Sequence, residues 1–159
     1  MKEFKDLNGN VWRLNMTIGA IEKVRDILGF DLLRPDRYQG ENELNYYGRK
    51  EEDSLFDFKV VKILCEDSIE KYGYDETTLA NLFGPEQIKA ANEAFSAEYR
   101  DFFRALGRPE MIDLLTVMET LRKEALEDYV ASLKSIDLKK LSEESEIETR
   151  TVNSEASGE

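Results

Sequence analysis

The sequence predicts an α+β fold that is mostly α-helical: an N-terminal β-hairpin packed on about five helices, followed by an acidic tail. Three observations predict it. An Asn-Gly pair sits between two short β-prone stretches in "FKDLNGNVWRL", the strongest short-range hairpin signal. Apolar residues then recur at helical spacing in segments bounded by capping residues, Gly and Pro, as amphipathic helices do. From Ser135 onward the aromatic residues stop and the composition turns acidic, which leaves too little apolar surface to offset the ordering entropy.

The hairpin, residues 3–15, admits two registers. A two-residue turn at Asn8-Gly9 would set Phe4 opposite Arg13. A three-residue loop, Leu7-Asn8-Gly9 with Gly9 left-handed, sets Phe4 opposite Trp12 and places Leu14 on the same face. A slip of one residue moves every side chain to the other face, so the aromatic pairing favours the second register. The alternating Asp6, Asn8 and Asn10 also invite a calcium loop. An EF-hand loop starting at Asp6 needs Gly at its sixth place and Glu at its twelfth; these hold Val11 and Thr17. The turn reading is preferred and no metal is expected.

Thr17 caps a helix over 18–28, where Ile21, Val24 and Leu28 recur and Gly29 supplies the stop. Residues 34–53 hold one Pro, two Gly and no sustained period, which predicts a long loop, with Tyr38, Tyr46 and Tyr47 as a contact surface or folded back on the core. A helix over 54–72 is apolar on more than one face, which predicts a central position. Asp75 caps a short helix over 76–83. Pro85 and Pro109 open helices over 85–106 and 109–134, Pro being suited to a first turn. Residues 1–134 thus read as a single globular domain and 135–159 as a largely disordered tail.

The formal net charge is −12, from 22 basic and 34 acidic residues. That balance opposes nucleic-acid binding, which rests on clustered Lys and Arg, and opposes adhesion to anionic membranes. The acids are mixed with Lys and Arg in every segment, which disfavours a DNA mimic. The chain has no histidine, and with it goes the commonest general base near neutral pH. Paired carboxylates of the glycoside-hydrolase kind have candidates such as Glu66, Asp67 and Glu70, where a solvated helix face is the ordinary explanation. No phosphate-binding glycine loop and no zinc-ligand set occurs in the sequence. Cys65 is the one cysteine; a buried small hydrophobe is the expected role. The reading is a non-enzyme without cofactors. No stretch approaches the roughly 20 apolar residues that span a bilayer and the N-terminus lacks the apolar core of a secretory signal, so a cytoplasmic location is expected.

What remains is surface for protein. In "AFSAEYRDFF" Phe95, Tyr99, Phe102 and Phe103 cluster. Such a stripe is more often core than interface, but Phe102 and Phe103 differ in azimuth by about 100°, so one of them can face outward. With Tyr46 and Tyr47 they are the candidate partner-binding residues.

The hairpin pattern Phe4, Asp6, Gly9, Trp12 and Leu14, the helix "IGAIEKVRDILGFDLL", an acid-capped short helix and a long helix ending "AEYRDFFRAL" resemble, over roughly residues 3–107, the tail assembly chaperone-like proteins of tailed bacteriophages and prophages. The resemblance implies a stoichiometric, non-catalytic role in the host cytoplasm. Such proteins bind the long, aggregation-prone tape measure protein and keep it dissolved during tail assembly. They then leave and are absent from the virion. The implied partner is the tape measure or another tail protein, with no nucleic acid, membrane or cofactor, and a homo-oligomer is compatible. The alternative is a minor virion structural protein, such as a head–tail connector or tail component, which would stay in the particle.

Overall fold

The computed structural model describes residues 1–37, 39 and 44–155, with side chains as far as residue 136. It contains a two-stranded antiparallel hairpin, β1 (Glu3–Lys5) and β2 (Val11–Arg13), and helices α1 (Ile18–Leu28), α2 (Tyr46–Glu52), α3 (Phe56–Leu64), α4 (Glu66–Tyr72), α5 (Glu76–Asn81), α6 (Pro85–Ala105) and α7 (Pro109–Glu155). The chain divides into two units, Met1–Val117 and Met118–Glu159.

The hairpin adopts the three-residue loop. Phe4 lies opposite Trp12 and Lys5 opposite Val11, and Gly9 has φ +80°, a conformation only glycine takes without strain. Asp6 holds the loop together. Its carboxylate accepts from the backbone N–H groups of Asn8 and Asn10, each at 2.9 Å, from Asn10 Nδ2 at 3.0 Å and from Trp12 Nε1 at 3.0 Å. Both Asp6 carboxylate oxygens are thus engaged by N–H donors. Trp12 packs between Phe4, Tyr72, Tyr74 and Phe83, and Leu7 N–H donates to Leu82 O at 3.0 Å. The hairpin is thereby fastened to the α4–α5 region.

α1 follows its sequence signals: Thr17 accepts from Ala20 N–H, and Gly29 closes the helix at φ +64°. The predicted helix over 54–72 is instead two, broken at Cys65. The cause is tertiary. Asn15 N–H, leaving the hairpin, takes Leu64 O at 3.0 Å, and Ser68 N–H bonds Cys65 O rather than continuing the ladder. Within the expected loop 34–53 lies α2, capped by Asn45, which accepts from Gly48 N–H; Tyr46 sits at its buried start. Gln39 and Leu44 form an isolated bridge, while Tyr38 lies outside the described residues.

α6 packs against β1 and α3, and α3 also packs against α1 and α2. The first two turns of α7 complete this core with Met111 and Leu115. The first unit ends at Val117, and on α7 beyond it Leu121, Leu126, Tyr129, Val130, Leu133 and Ile136 are exposed. The α7 backbone is helical to Glu155; the expected disorder of 135–159 falls mostly on side chains outside the described set. No helix among the described residues is long and apolar enough to cross a membrane.

Candidate functional site

Four of the six candidate contact residues are core. Phe95, Tyr99, Phe103 and Tyr46 are buried, so none of them offers surface to a partner. The physical reason is the ordinary amphipathic one: the face of α6 carrying them meets β1 and α3. Phe95 and Tyr99 stack at 5.4 Å between ring centroids, Tyr99 and Phe103 lie at 5.0 Å, and Tyr46 meets Tyr99 edge-on at 5.9 Å. Tyr99 donates its hydroxyl proton to Leu32 O, tying α6 to the segment after α1. Phe102 points to a different azimuth but is half-buried against the same core. Tyr47 is half-buried as well, its hydroxyl donating to Leu115 O at 2.8 Å. The adjacent pair at 102–103 misled because a difference in azimuth carries no information about which neighbour covers each ring.

Tyr46 belongs to a polar cluster that sequence reasoning missed. Its hydroxyl donates to Asp57 Oδ1 at 2.8 Å, and Lys50 Nζ lies 2.6 Å from Asp57 Oδ2. Lys50 also sits 5.2 Å from the Tyr46 ring centroid, within cation–π range. Burial raises the Tyr46 hydroxyl well above the usual phenol range, and the Asp57 carboxylate beside it adds to the shift. Lys50 is one turn along α2 from Tyr46, so both reach the same carboxylate on α3. With each Asp57 oxygen engaged, the cluster pins α2 to α3. Its signal in the sequence was an i, i+4 Tyr–Lys pair, too common to single out. Cys65 is fully buried, and burial, with Asp67 nearby, pushes its thiol up to about 12.

The surface features lie elsewhere. Between α1, α3, α4 and α5 runs an open groove of about 550 Å³, lined by Ile27, Leu28, Ile63, Ile69, Tyr74 and Leu79. Ile27 is 66% exposed. Its charged rim is divided by element: Lys23, Lys59 and Lys62 come from α1 and α3, while Glu66, Glu70 and Glu76 come from α4 and α5. Lys23 pairs with Glu66 and Lys59 with Asp53. Lys62, Glu70 and Glu76 form no ion pair among the described residues.

The second unit presents the other feature. Leu121, Leu126, Tyr129, Val130, Leu133 and Ile136 on α7 are all between 43% and 61% exposed. At 100° per residue Leu126, Val130 and Leu133 fall within about 60° of arc, and Tyr129 and Ile136 widen the stripe to about 120°. That is the width of a helix face that packs on a partner. Lys123, Glu127 and Lys134 border it beside Leu126 and Val130.

Family models, curated proteins and solved structures return no match to this chain. The functional reading therefore rests on these surfaces and on the motifs of the hairpin and α6.

Proposed function

We propose that this chain is a tail assembly chaperone of a tailed phage or prophage, a non-catalytic protein that holds the long helical tape measure protein in solution until tube subunits enclose it. The observation that carries the reading is the open apolar stripe of α7, from Leu126 to Ile136, on a chain of net charge −12. A contiguous exposed apolar face marks an interaction site, and a helix stripe read at i, i+3, i+4 and i+7 is the form that pairs with another helix. Net charge keeps such a complex apart from its neighbours. The resemblance of the Phe4–Leu14 hairpin and the "AEYRDFFRAL" helix to that family supports the same reading.

The test is co-expression with the tape measure protein encoded beside it, followed by size-exclusion chromatography and analysis of purified particles. The reading expects a client that stays dissolved and co-elutes only when this chain is present, and particles that lack the chain. A chain retained in the finished particle would instead make it a structural component.

A further inference from the structure

The hairpin loop places two asparagines in opposite circumstances. Asn10 is held: its Nδ2 donates to Asp6 Oδ2 at 3.0 Å and to the Tyr74 hydroxyl at 2.8 Å, and it is followed by Val11, whose branched side chain crowds its own backbone. Asn8 is exposed, and its side-chain amide forms no hydrogen bond among the described residues. Gly9 follows it, in the one Asn-Gly pair of the chain, and no atom lies within 4 Å of where a Cβ on Gly9 would sit. The Gly9 nitrogen thus has no side chain of its own to shield it or to strain a ring closed on it. What opposes such a ring is Asp6. Its backbone carbonyl accepts from Gly9 N–H at 3.0 Å, and its buried carboxylate accepts from the N–H groups of Asn8 and Asn10, each at 2.9 Å. While these bonds hold, the Gly9 proton is engaged and the loop is fixed.

We propose that Asn8 is a covalent modification site at which the side-chain amide is lost spontaneously, and that the Asp6 hydrogen bonds set the rate by holding the loop closed. When the loop opens, Gly9 N gives its proton to solvent and its electron pair attacks Asn8 Cγ. The Cγ–Nδ2 bond breaks, and the amide takes up a proton and leaves as ammonia. The resulting five-membered imide takes one water. Water at Cγ breaks the new bond and leaves aspartate; water at the Asn8 backbone carbonyl carbon breaks the original peptide bond and leaves isoaspartate, with the chain routed through Cγ. Either product sets a second carboxylate beside Asp6, and like charges repel. Isoaspartate also adds a backbone atom to a three-residue loop, and loop length fixes hairpin register. That register pairs Phe4 with Trp12, so the modified chain holds its hairpin less firmly. The inference goes beyond the proposed function and is independent of any client.

The experiment is peptide mapping by mass spectrometry of the full chain, incubated at neutral pH and physiological temperature, native and in urea. Asn10, and Asn45 with its oxygen held by Gly48 N–H, serve as references in the same digest. Native Asn8 is expected to gain the mass of amide-to-acid conversion ahead of both references. It should do so more slowly than in urea by roughly tenfold or more, the ratio set by the free energy of opening the loop. Asp6→Ala is expected to bring Asn8 close to its rate in urea. Tyr46→Phe weakens the fold far from the loop and separates local from global opening: it is expected to leave the Asn8 rate unchanged. Circular dichroism checks that both variants keep their helix content. Anion exchange then separates the modified chain, which carries one more negative charge, and its urea midpoint is expected to lie below that of the unmodified chain. The proposal is overturned if native Asn8 keeps its amide through an incubation that converts it in urea, or if its native and urea rates are equal. It is overturned equally by an unchanged rate in Asp6→Ala, by a faster one in Tyr46→Phe, or by a modified chain as stable as the original.

Discussion

Two helices of this chain carry apolar stripes of similar period and end differently. On α6, Phe95, Tyr99 and Phe103 disappear into the core against β1 and α3. On α7, Leu126, Val130 and Leu133 stand in solvent. Periodicity reports that a helix has an apolar face; what covers the face is decided by neighbours far away in sequence. For α6 these are α3 and the hairpin, whose loop Asp6 and Trp12 hold. On α7 the apolar side chains from Leu121 to Ile136 that are described stay exposed.

Truncating each stripe sharpens that contrast. Phe103→Ala is expected to cost about 3–5 kcal/mol in urea unfolding, the range for a buried aromatic truncated to Ala, whereas Leu133→Ala is expected to stay within about 0.5 kcal/mol for the single chain. Trp12, the one tryptophan, reports the transition by fluorescence. Equal costs at the two positions would break the comparison.

The hairpin end of the α6 core can be broken at Asp6. Burial raises its carboxyl, but hydrogen bonds from Asn10, Trp12 and the Asn8 backbone outweigh this and hold it below the usual carboxylate range. Asp6→Ala orphans the Trp12 N–H and several loop donors, at about 3 kcal/mol for charged hydrogen bonds lost. Because the folded value is depressed, the stabilisation is present above the unfolded value near 3.9 and is lost as pH falls through the folded value. The wild type is therefore expected to lose stability below about pH 4 more steeply than Asp6→Ala, checked by acid titration of the urea midpoint.

Tyr46→Phe removes one donor from the buried Asp57 while Lys50 remains, an expected loss of about 1–2 kcal/mol. The smallest effect is chemical. With its thiol buried and pushed up to about 12, Cys65 is expected to resist an aromatic disulfide reagent in the native chain and to react at once in denaturant. Rapid native labelling would show that the α3–α4 junction opens.

How much was legible follows the same division. The hairpin register was readable because only one register pairs Phe4 with Trp12, and α1 because Thr17 and Gly29 cap it locally. The α2 helix was not, since seven residues give no period and its Asn45 cap sits among loop-forming residues. The break at Cys65 was not, because it is made by a hydrogen bond from Asn15, distant in sequence. Among the candidate contact residues, the sequence marked the aromatic side chains, which the fold uses for its core. The aliphatic residues Leu126, Val130 and Leu133 lie within the helix expected over 109–134, but period alone does not say whether a face is covered.

The measurement that tests the account most directly is hydrogen–deuterium exchange of this chain alone, dilute enough to be a single copy, and in complex with the tape measure protein. The account predicts that amides over 121–136 exchange quickly when free and become protected in the complex, while those around Phe95–Phe103 are slow in both. Unchanged exchange over 121–136, with new protection elsewhere, would contradict the claim that α7 presents the binding face.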